Sequence, residues 1–164
     1  PIAEKPAALP AEQQQGKPLA AKANVFVGKR ILLAEDNEIN AMITVEVLQE
    51  MGVAIDVAKN GQEAIDLFTA HAEGYYDFIL MDVQMPVMDG RTAAKRIRAL
   101  KRKDAKEILI FALSADAFVE DERRSLESGM DGHFAKPVDF PALQKKIGEF
   151  LQKRKQVDGW KKTK

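Results

Sequence analysis

The sequence predicts an α/β domain in which successive strand–helix units build one parallel sheet. Three features lead there. Short apolar runs recur along the chain: Ile31–Ala34, Phe78–Met81, Ile108–Leu113 and the brief Phe134-Ala135. The segments between them carry apolar residues at helical spacing. Each run also stops at residues suited to a metal or a phosphoryl group: Glu35-Asp36, Asp82, Ser114 and Lys136-Pro137. Bounded, uniformly apolar runs alternating with helices read as strands covered on both faces. In an open α/β sheet, ligands bind outside the carboxyl ends of the strands. Three carboxylates, a hydroxyl and an ammonium are therefore expected in one crevice.

Residues 1–28 are rich in Ala, Pro, Gln and Lys and are punctuated by Pro6, Pro10, Gly16 and Pro18. That is too often for a helix, so the segment reads as a flexible linker, with a further domain expected upstream. The start at Pro1 rather than Met points to a fragment or a processed chain. Strand one is expected at about 30–34 and its helix at about 38–51, with Ile39, Met42, Ile43, Val47 and Met51 as the inward stripe and Gly52 as its C-terminal stop. Val53, Ile55 and Val57 alternate as a half-buried strand should, over about 53–58. Asn60-Gly61 turns into a helix of about 62–72, with Ile65 and Phe68 inward. Strand three (about 77–81) leads to a helix of about 90–102, with Ala93, Ile97 and Leu100 inward. Strand four (about 108–113) leads to a helix of about 117–128, and a short strand five covers about 132–135. The last helix starts near Asp139, a good N-cap, with Pro141 in its first turn and Leu143, Ile147, Phe150 and Leu151 as its stripe.

The helix of about 117–128 stands apart. Phe118, Val119 and Leu126 are its only large apolar residues, and charged side chains fill the rest. Helices in proteins are stabilised mainly by burying an apolar face. This one should be the most easily displaced element.

Composition excludes several classes. At 46% hydrophobic and 30% charged, the chain fits a globular protein rather than a disordered one. No apolar stretch approaches the roughly 20 residues of a membrane span, and no signal-peptide core is present. Without Cys there is no disulfide, thiolate site or Cys nucleophile, as in a reducing cytosol. The net charge of zero is uneven: residues 151–164 hold six Lys or Arg against one Asp, and residues 1–28 hold three Lys against two Glu. Residues 29–150 therefore carry −6, which disfavours nucleic-acid binding by the domain, and the basic tail reads as a solvated charge run. His71 and His133 lack ligand-like spacing.

In the crevice, three carboxylates held within about 5 Å would repel by roughly 3 kcal/mol per pair at an effective dielectric near 20. Such a cluster takes up a proton or binds a cation. Few carboxylates plus retained water suit Mg²⁺. One carboxylate could then serve as nucleophile and form an aspartyl phosphate, with Lys136 and Ser114 neutralising and positioning the phosphoryl group.

These residues resemble the receiver (response-regulator) domain of two-component signalling. Leu32-Leu33-Ala34-Glu35-Asp36-Asn37-Glu38-Ile39-Asn40 looks like the family's first-strand acidic motif, and Met81-Asp82-Val83-Gln84-Met85-Pro86-Val87-Met88-Asp89-Gly90 like its phosphoacceptor motif. Leu113-Ser114-Ala115 matches its hydroxyl position and Lys136-Pro137 its lysine–proline step. Each motif alone is weak, but four in order at successive strand ends are specific. The resemblance implies a doubly wound (βα)5 flavodoxin-like receiver fold, with a five-stranded parallel sheet of order 2-1-3-4-5, two helices on one face and three on the other. It covers about 29–153, leaving 154–164 as a basic C-terminal tail.

The resemblance also implies roles. Asp82 would take phosphate from a phosphohistidine. Asp36, Asp82 and the backbone carbonyl of Gln84 would ligate Mg²⁺ or Mn²⁺, with Glu35 acting through water. Lys136 would contact the phosphoryl oxygens, and its bond to Pro137 would be cis. Ser114 and Phe134 would form the switch. The family commonly has Thr and Tyr there, so Phe134 lacks a phenol and must act by packing. Gln84 and Asp116 occupy positions that tune phosphate lifetime.

The implied partner is a histidine kinase or histidine phosphotransfer domain. The domain would be monomeric in isolation and cytoplasmic, with a parent protein that is anchored in the inner membrane in some such systems. It would catalyse its own phosphorylation and dephosphorylation without being a stand-alone turnover enzyme. The upstream linker and the Glu-Asp-Asn-Glu-Ile-Asn wording look like the receiver of a hybrid sensor histidine kinase, with a single-domain regulator as the alternative. A haloacid-dehalogenase-like Mg²⁺ phosphatase would instead place its nucleophile in Asp-X-Asp after strand one, where this chain has Glu35-Asp36-Asn37. A phosphate-blind interaction module would have lost the acids or Lys136.

Overall fold

The computed structural model describes residues 26–115 and 119–163. In chain order the elements are β1 (Arg30–Ala34), α1 (Glu38–Glu50), β2 (Ala54–Ala58), α2 (Gly61–Ala70), β3 (Phe78–Asp82), α3 (Gly90–Arg98), α4 (Lys103–Glu107), β4 (Leu109–Ser114), α5 (Val119–Glu127), β5 (Gly132–Ala135) and α6 (Phe140–Thr163). The five strands pair in parallel in the order β2-β1-β3-β4-β5, as the sequence predicts. Strands β3 and β4 lie inside the sheet and are buried at every position, which is why their sequences do not alternate.

Side-chain alternation along the strands sorts the core into two layers. Ile31, Leu33, Phe78, Leu80 and Phe111 pack with Leu48 of α1 and with Leu143 and Ile147 of α6. Leu32, Ile79, Met81 and Ile110 pack with Phe68 of α2, Ile97 of α3 and Ala105 of α4. One face thus carries α1 and α6, and the other carries α2, α3 and the short α4, with α5 tied to α3 by an Arg91–Asp121 pair. Among the described residues no helix is long and apolar enough to cross a membrane.

Four details depart from the sequence reading. The helix expected over 90–102 ends at Arg98, and Lys103–Glu107 forms a separate turn of helix. Arg102, just before this turn, pairs with its Asp104 at 2.8 Å, and Gly74 N–H donates to Asp104, so side-chain bonds fix this corner. Second, α1 buries Ala41, Thr44 and Leu48, while Ile39 (67% exposed), Met42 (65%) and Ile43 (49%) face outward. Both sets have helical spacing, so periodicity does not distinguish them, and the set with the smaller residues Ala41 and Thr44 is the one buried. Third, Phe26 lies inside the expected linker yet is fully buried, 5.9 Å from the Phe78 ring, and Gly28 N–H donates to Gly52 O. Ordered structure therefore reaches upstream of Lys29. Fourth, α6 continues through the expected tail to Thr163, since no proline interrupts it and Lys and Arg are good helix formers.

Gly52 follows α1 with φ +90°, as the C-terminal glycine reading requires. Val87 has φ +69° although it is β-branched, and it is 81% exposed in the loop after β3. A β-branched side chain in the left-handed region is strained by about 1–3 kcal/mol. Asn tolerates that region, so Val87→Asn is expected to stabilise the fold by about 1 kcal/mol, read as a higher thermal midpoint. An unchanged or lower midpoint would contradict the strain.

Candidate functional site

The carboxyl ends of β1 and β3 bring the acids together. Glu35 follows the last residue of β1, and its N–H donates to Ala58 O of β2 at 2.9 Å, which holds its side chain in the buried crevice. Asp36 is exposed at the rim. Asn37 caps α1 by accepting from Asn40 N–H at 2.9 Å, and its own N–H donates to Glu35 Oε2 at 3.2 Å. Asp82 closes β3 and is buried. Its Oδ1 accepts from Gln84 N–H at 3.2 Å. Glu35, Asp36 and Asp82 each offer an oxygen within 4.8 Å of the others.

The loop carrying Asp82 is pinned at both ends. Val83 N–H donates to Leu113 O and Gly90 N–H to Val83 O, both at 2.9 Å. Asp89 caps α3 by accepting from Thr92 N–H at 2.9 Å. A Cβ at Gly90 would collide with the Asp82 carbonyl oxygen, so only glycine lets α3 start this close to the acid.

Lys136 comes from the far side of the sheet. Its backbone N–H donates to Ser114 O at 2.7 Å, and its peptide bond to Pro137 is cis. The side chain crosses to the acids, where Nζ donates to Asp82 Oδ2 at 2.8 Å and pairs with Glu35 Oε1 at 3.0 Å. Ser114 is buried at the end of β4, one residue beyond the Leu113 that pairs with Asp82. Phe134 on β5 is half-buried, with its ring 5.7 Å from Phe111 and Lys146 Nζ 5.4 Å from its centroid. Gln84 is exposed at the mouth. Asp116 lies outside the described residues.

Burial pushes the Glu35 carboxyl above its ordinary 4.5; the Lys136 hydrogen bond opposes this, and the nearby Asp82 charge adds to the rise. For Lys136, burial works against the ammonium, but the bonds to Asp82 and Glu35 outweigh it and hold its pKa above 10.5. The site is thus a buried acid pair bridged by one ammonium, with a third acid open to solvent. The donor set is all hard oxygen, it carries excess negative charge, and one side is accessible to water, which suits a hydrated Mg²⁺-sized cation.

The structure gathers Glu35, Asp36, Asp82 and Lys136 as the sequence leads one to expect, and it sets Ser114 on the adjacent strand end. Two features at this end of the sheet were missed. The exposed Ile39, Met42 and Ile43 were visible as apolar residues but were assigned to the core. Arg91, directly after Gly90, gave no local signal, because its partners Asp121 and Ser125 are 30 and 34 residues downstream.

Residues 31–148 match the family model for the response regulator receiver domain. The chain is 35% identical over 131 residues to the peroxide stress-activated histidine kinase mak3 of Schizosaccharomyces pombe, covering 79% of this chain and 6% of that protein. It is 36% identical over 124 residues to the sensor protein GacS of Pseudomonas syringae, covering 75% of this chain and 13% of that protein. The chain therefore spans a small part of the curated relatives it matches. Among solved structures, it resembles the receiver domain of the Saccharomyces cerevisiae response regulator Ssk1, crystallised with the histidine phosphotransfer protein Ypd1: TM-score 0.68, 37% identity, 76% of this chain and 89% of that one. It also resembles the receiver domain of a Pseudomonas aeruginosa sensor histidine kinase with a magnesium ion in its active-site cleft: TM-score 0.63, 31% identity, 77% of this chain and 97% of that one.

The raised Glu35 pKa has a signed consequence. The folded protein holds that proton more tightly than the unfolded chain, so ionised Glu35 costs stability as pH rises from 4.5 through the folded value. Glu35→Gln is expected to melt a few degrees higher than the parent at about pH 7, with the difference closing toward about pH 4. A lower midpoint for the variant near neutrality would contradict the assignment.

Proposed function

The chain belongs to the response regulator receiver domain family, and from that premise we propose that it accepts a phosphoryl group from a phosphohistidine onto Asp82. In the step, an Asp82 carboxylate oxygen bonds to phosphorus as the phosphorus–nitrogen bond to the donor imidazole breaks. The imidazole leaves and takes up a proton, and the product is an acyl phosphate. The observation that carries this reading is the Lys136 ammonium at 2.8 Å from Asp82 and 3.0 Å from Glu35, inside the Glu35-Asp36-Asp82 cluster.

Each residue has a task that follows from its place. Both oxygens of Asp82 are already bonded, one to Gln84 N–H and one to Lys136. Lys136 therefore transfers its bond to an oxygen of the incoming group. Asp36, Asp82 and the Gln84 carbonyl would hold Mg²⁺, or Mn²⁺ of the same charge, with Glu35 acting through water. Bound there, the cation supplies charge neutralisation for the phosphoryl oxygens. Ser114 reaches toward the phosphoryl group and the half-buried Phe134 follows by packing, having no hydroxyl to bond. Gln84 at the mouth, together with Asp116, sets access of water to the acyl phosphate.

The partner is a histidine kinase or histidine phosphotransfer domain, as the Ssk1–Ypd1 pair illustrates for a similar receiver. Ile39, Met42 and Ile43 support this, because they place exposed apolar surface on the helix that begins two residues after Asp36. The similarity to mak3 and GacS favours the receiver of a hybrid histidine kinase over a single-domain regulator. The placement of Asp82 after β3 disfavours a haloacid-dehalogenase-like phosphatase.

Incubation with acetyl phosphate and Mg²⁺, followed by intact mass, tests the reading. The chain is expected to gain one phosphoryl group, and Asp82→Ala none. Equal labelling of Asp82→Ala would remove Asp82 as acceptor, and steady release of phosphate from a small ester would favour the phosphatase.

A further inference from the structure

The loop that follows Asp82 is strained at its middle and is held there from another helix. Met88 N–H donates back to Pro86 O at 2.6 Å, with Val87 between them at φ +69°. A three-residue turn with a positive central φ is the rare, costly form, and a β-branched centre makes it costlier. Beside it, Met88 O accepts from the N–H of Gly61, the first residue of α2, at 2.9 Å. Among the described residues this is the one backbone-to-backbone hydrogen bond that ties residues 84–88 to a separate element.

Gly61 suits that task in two ways. Its N–H is one of the first four of a helix, which have no partner inside it, so the bond to Met88 takes nothing from α2. The rest of the helix start is capped locally: Asn60 Oδ1 accepts from Glu63 N–H at 2.8 Å, and Glu63 Oε1 accepts from Lys59 N–H at 2.9 Å. The second way is space. A Cβ at Gly61 would lie 2.6 Å from Met88 O, 3.0 Å from Asp89 O and 3.0 Å from Ala93 Cβ. The φ of Gly61 is outside the left-handed region, so room rather than conformation demands glycine. The clamped loop touches Asp82 at both of its ends. Gln84 N–H donates to Asp82 Oδ1 at 3.2 Å, and Gly90 lies against the Asp82 carbonyl.

We propose that Gly61 is a positioning residue for phosphorylation of Asp82: its N–H and its missing side chain clamp the strained turn at Val87, and the clamp sets where Gln84 and the Asp82 carboxylate stand. The proposal rests on the phosphoacceptor reading and adds to it a residue of α2 that acts only through the loop. Strain carries it. A turn that a β-branched residue disfavours persists only where its surroundings hold it, and the backbone bond that holds this one comes from Gly61. Any side chain at position 61 must push Met88 O away, and the displacement runs along the loop to Gln84 and Asp82.

The test is labelling of the full chain by acetyl phosphate and Mg²⁺, timed by intact mass, with amide hydrogen exchange on the unlabelled, metal-free protein. Gly61→Ala is expected to be labelled about 10- to 100-fold more slowly, the range that a misplacement near 1 Å produces. In the same variant the amides of residues 84–89 should exchange faster, while those of β3 and β4 keep their protection. Glu63→Ala is the control, because it removes the bond to Lys59 from the same turn of α2 and leaves Gly61 and Met88 in place. It should melt lower yet be labelled at the parental rate. Labelling of Gly61→Ala at the parental rate overturns the clamp, and so does an equal slowing in Glu63→Ala. If Gly61→Ala does not fold or loses sheet protection, a backbone ester in place of the Gly61 amide decides, since it removes the N–H and adds no Cβ. Slower labelling of the ester supports the clamp, and the parental rate overturns it. A parent chain that takes no label overturns the phosphoacceptor reading itself, whereas a labelled parent with unaffected variants overturns the clamp alone.

Discussion

The site depends on one ammonium group placed between two buried carboxylates. Glu35 and Asp82 end neighbouring strands, so the sheet itself forces them together, and neither is open to water. Lys136 offsets that repulsion from a third strand end, through contacts of 3.0 and 2.8 Å. Breaking a buried ion pair by removing one partner costs about 3–5 kcal/mol. Lys136 is 21% exposed, which places its removal below that range. The arrangement is held by backbone bonds on every side: Glu35 to Ala58, Val83 to Leu113, and Lys136 to Ser114. Under the phosphoacceptor reading we propose, a pocket anchored this way keeps its acids where charge must be neutralised, as phosphoryl transfer demands.

Under the same proposed reading, a change at Asp82 reaches the rest of the domain through the elements that border the sheet. Strands β3 and β4 are buried at every position. Among the described residues, α5 leaves Leu126 half exposed and borders the cleft toward α3. Order or position change in a single element is an established switching route in proteins. Phe134 packs on Phe111, with ring centroids 5.7 Å apart, and has no hydroxyl to bond.

Strand ends were legible because buried parallel strands leave uniformly apolar runs, and the residue that breaks each run stands at the crevice. Glu35, Asp36, Asp82 and Lys136 were found by that logic alone, before any family motif was invoked. The inward face of α1 was misread because two sets of residues share helical spacing and bulk was taken for burial; the sheet accepted Ala41 and Thr44 instead. Phe26 was hidden among linker-like neighbours, and its burial follows from a contact with Phe78 far along the chain. The break between α3 and α4 rests on the Arg102–Asp104 pair and its bond to Gly74, a tertiary arrangement with no periodic trace. Arg91 sits on a face that reads as ordinary solvated charge.

The most direct measurement is a crystal structure of the chain grown with Mn²⁺, using anomalous scattering to locate the ion. The expected result is one strong peak about 2.0–2.4 Å from carboxylate oxygens of Asp36 and Asp82, in keeping with a small, hard, oxygen-bound cation. A fully occupied ion elsewhere, or none at saturating Mn²⁺ with the acids in place, would contradict the account.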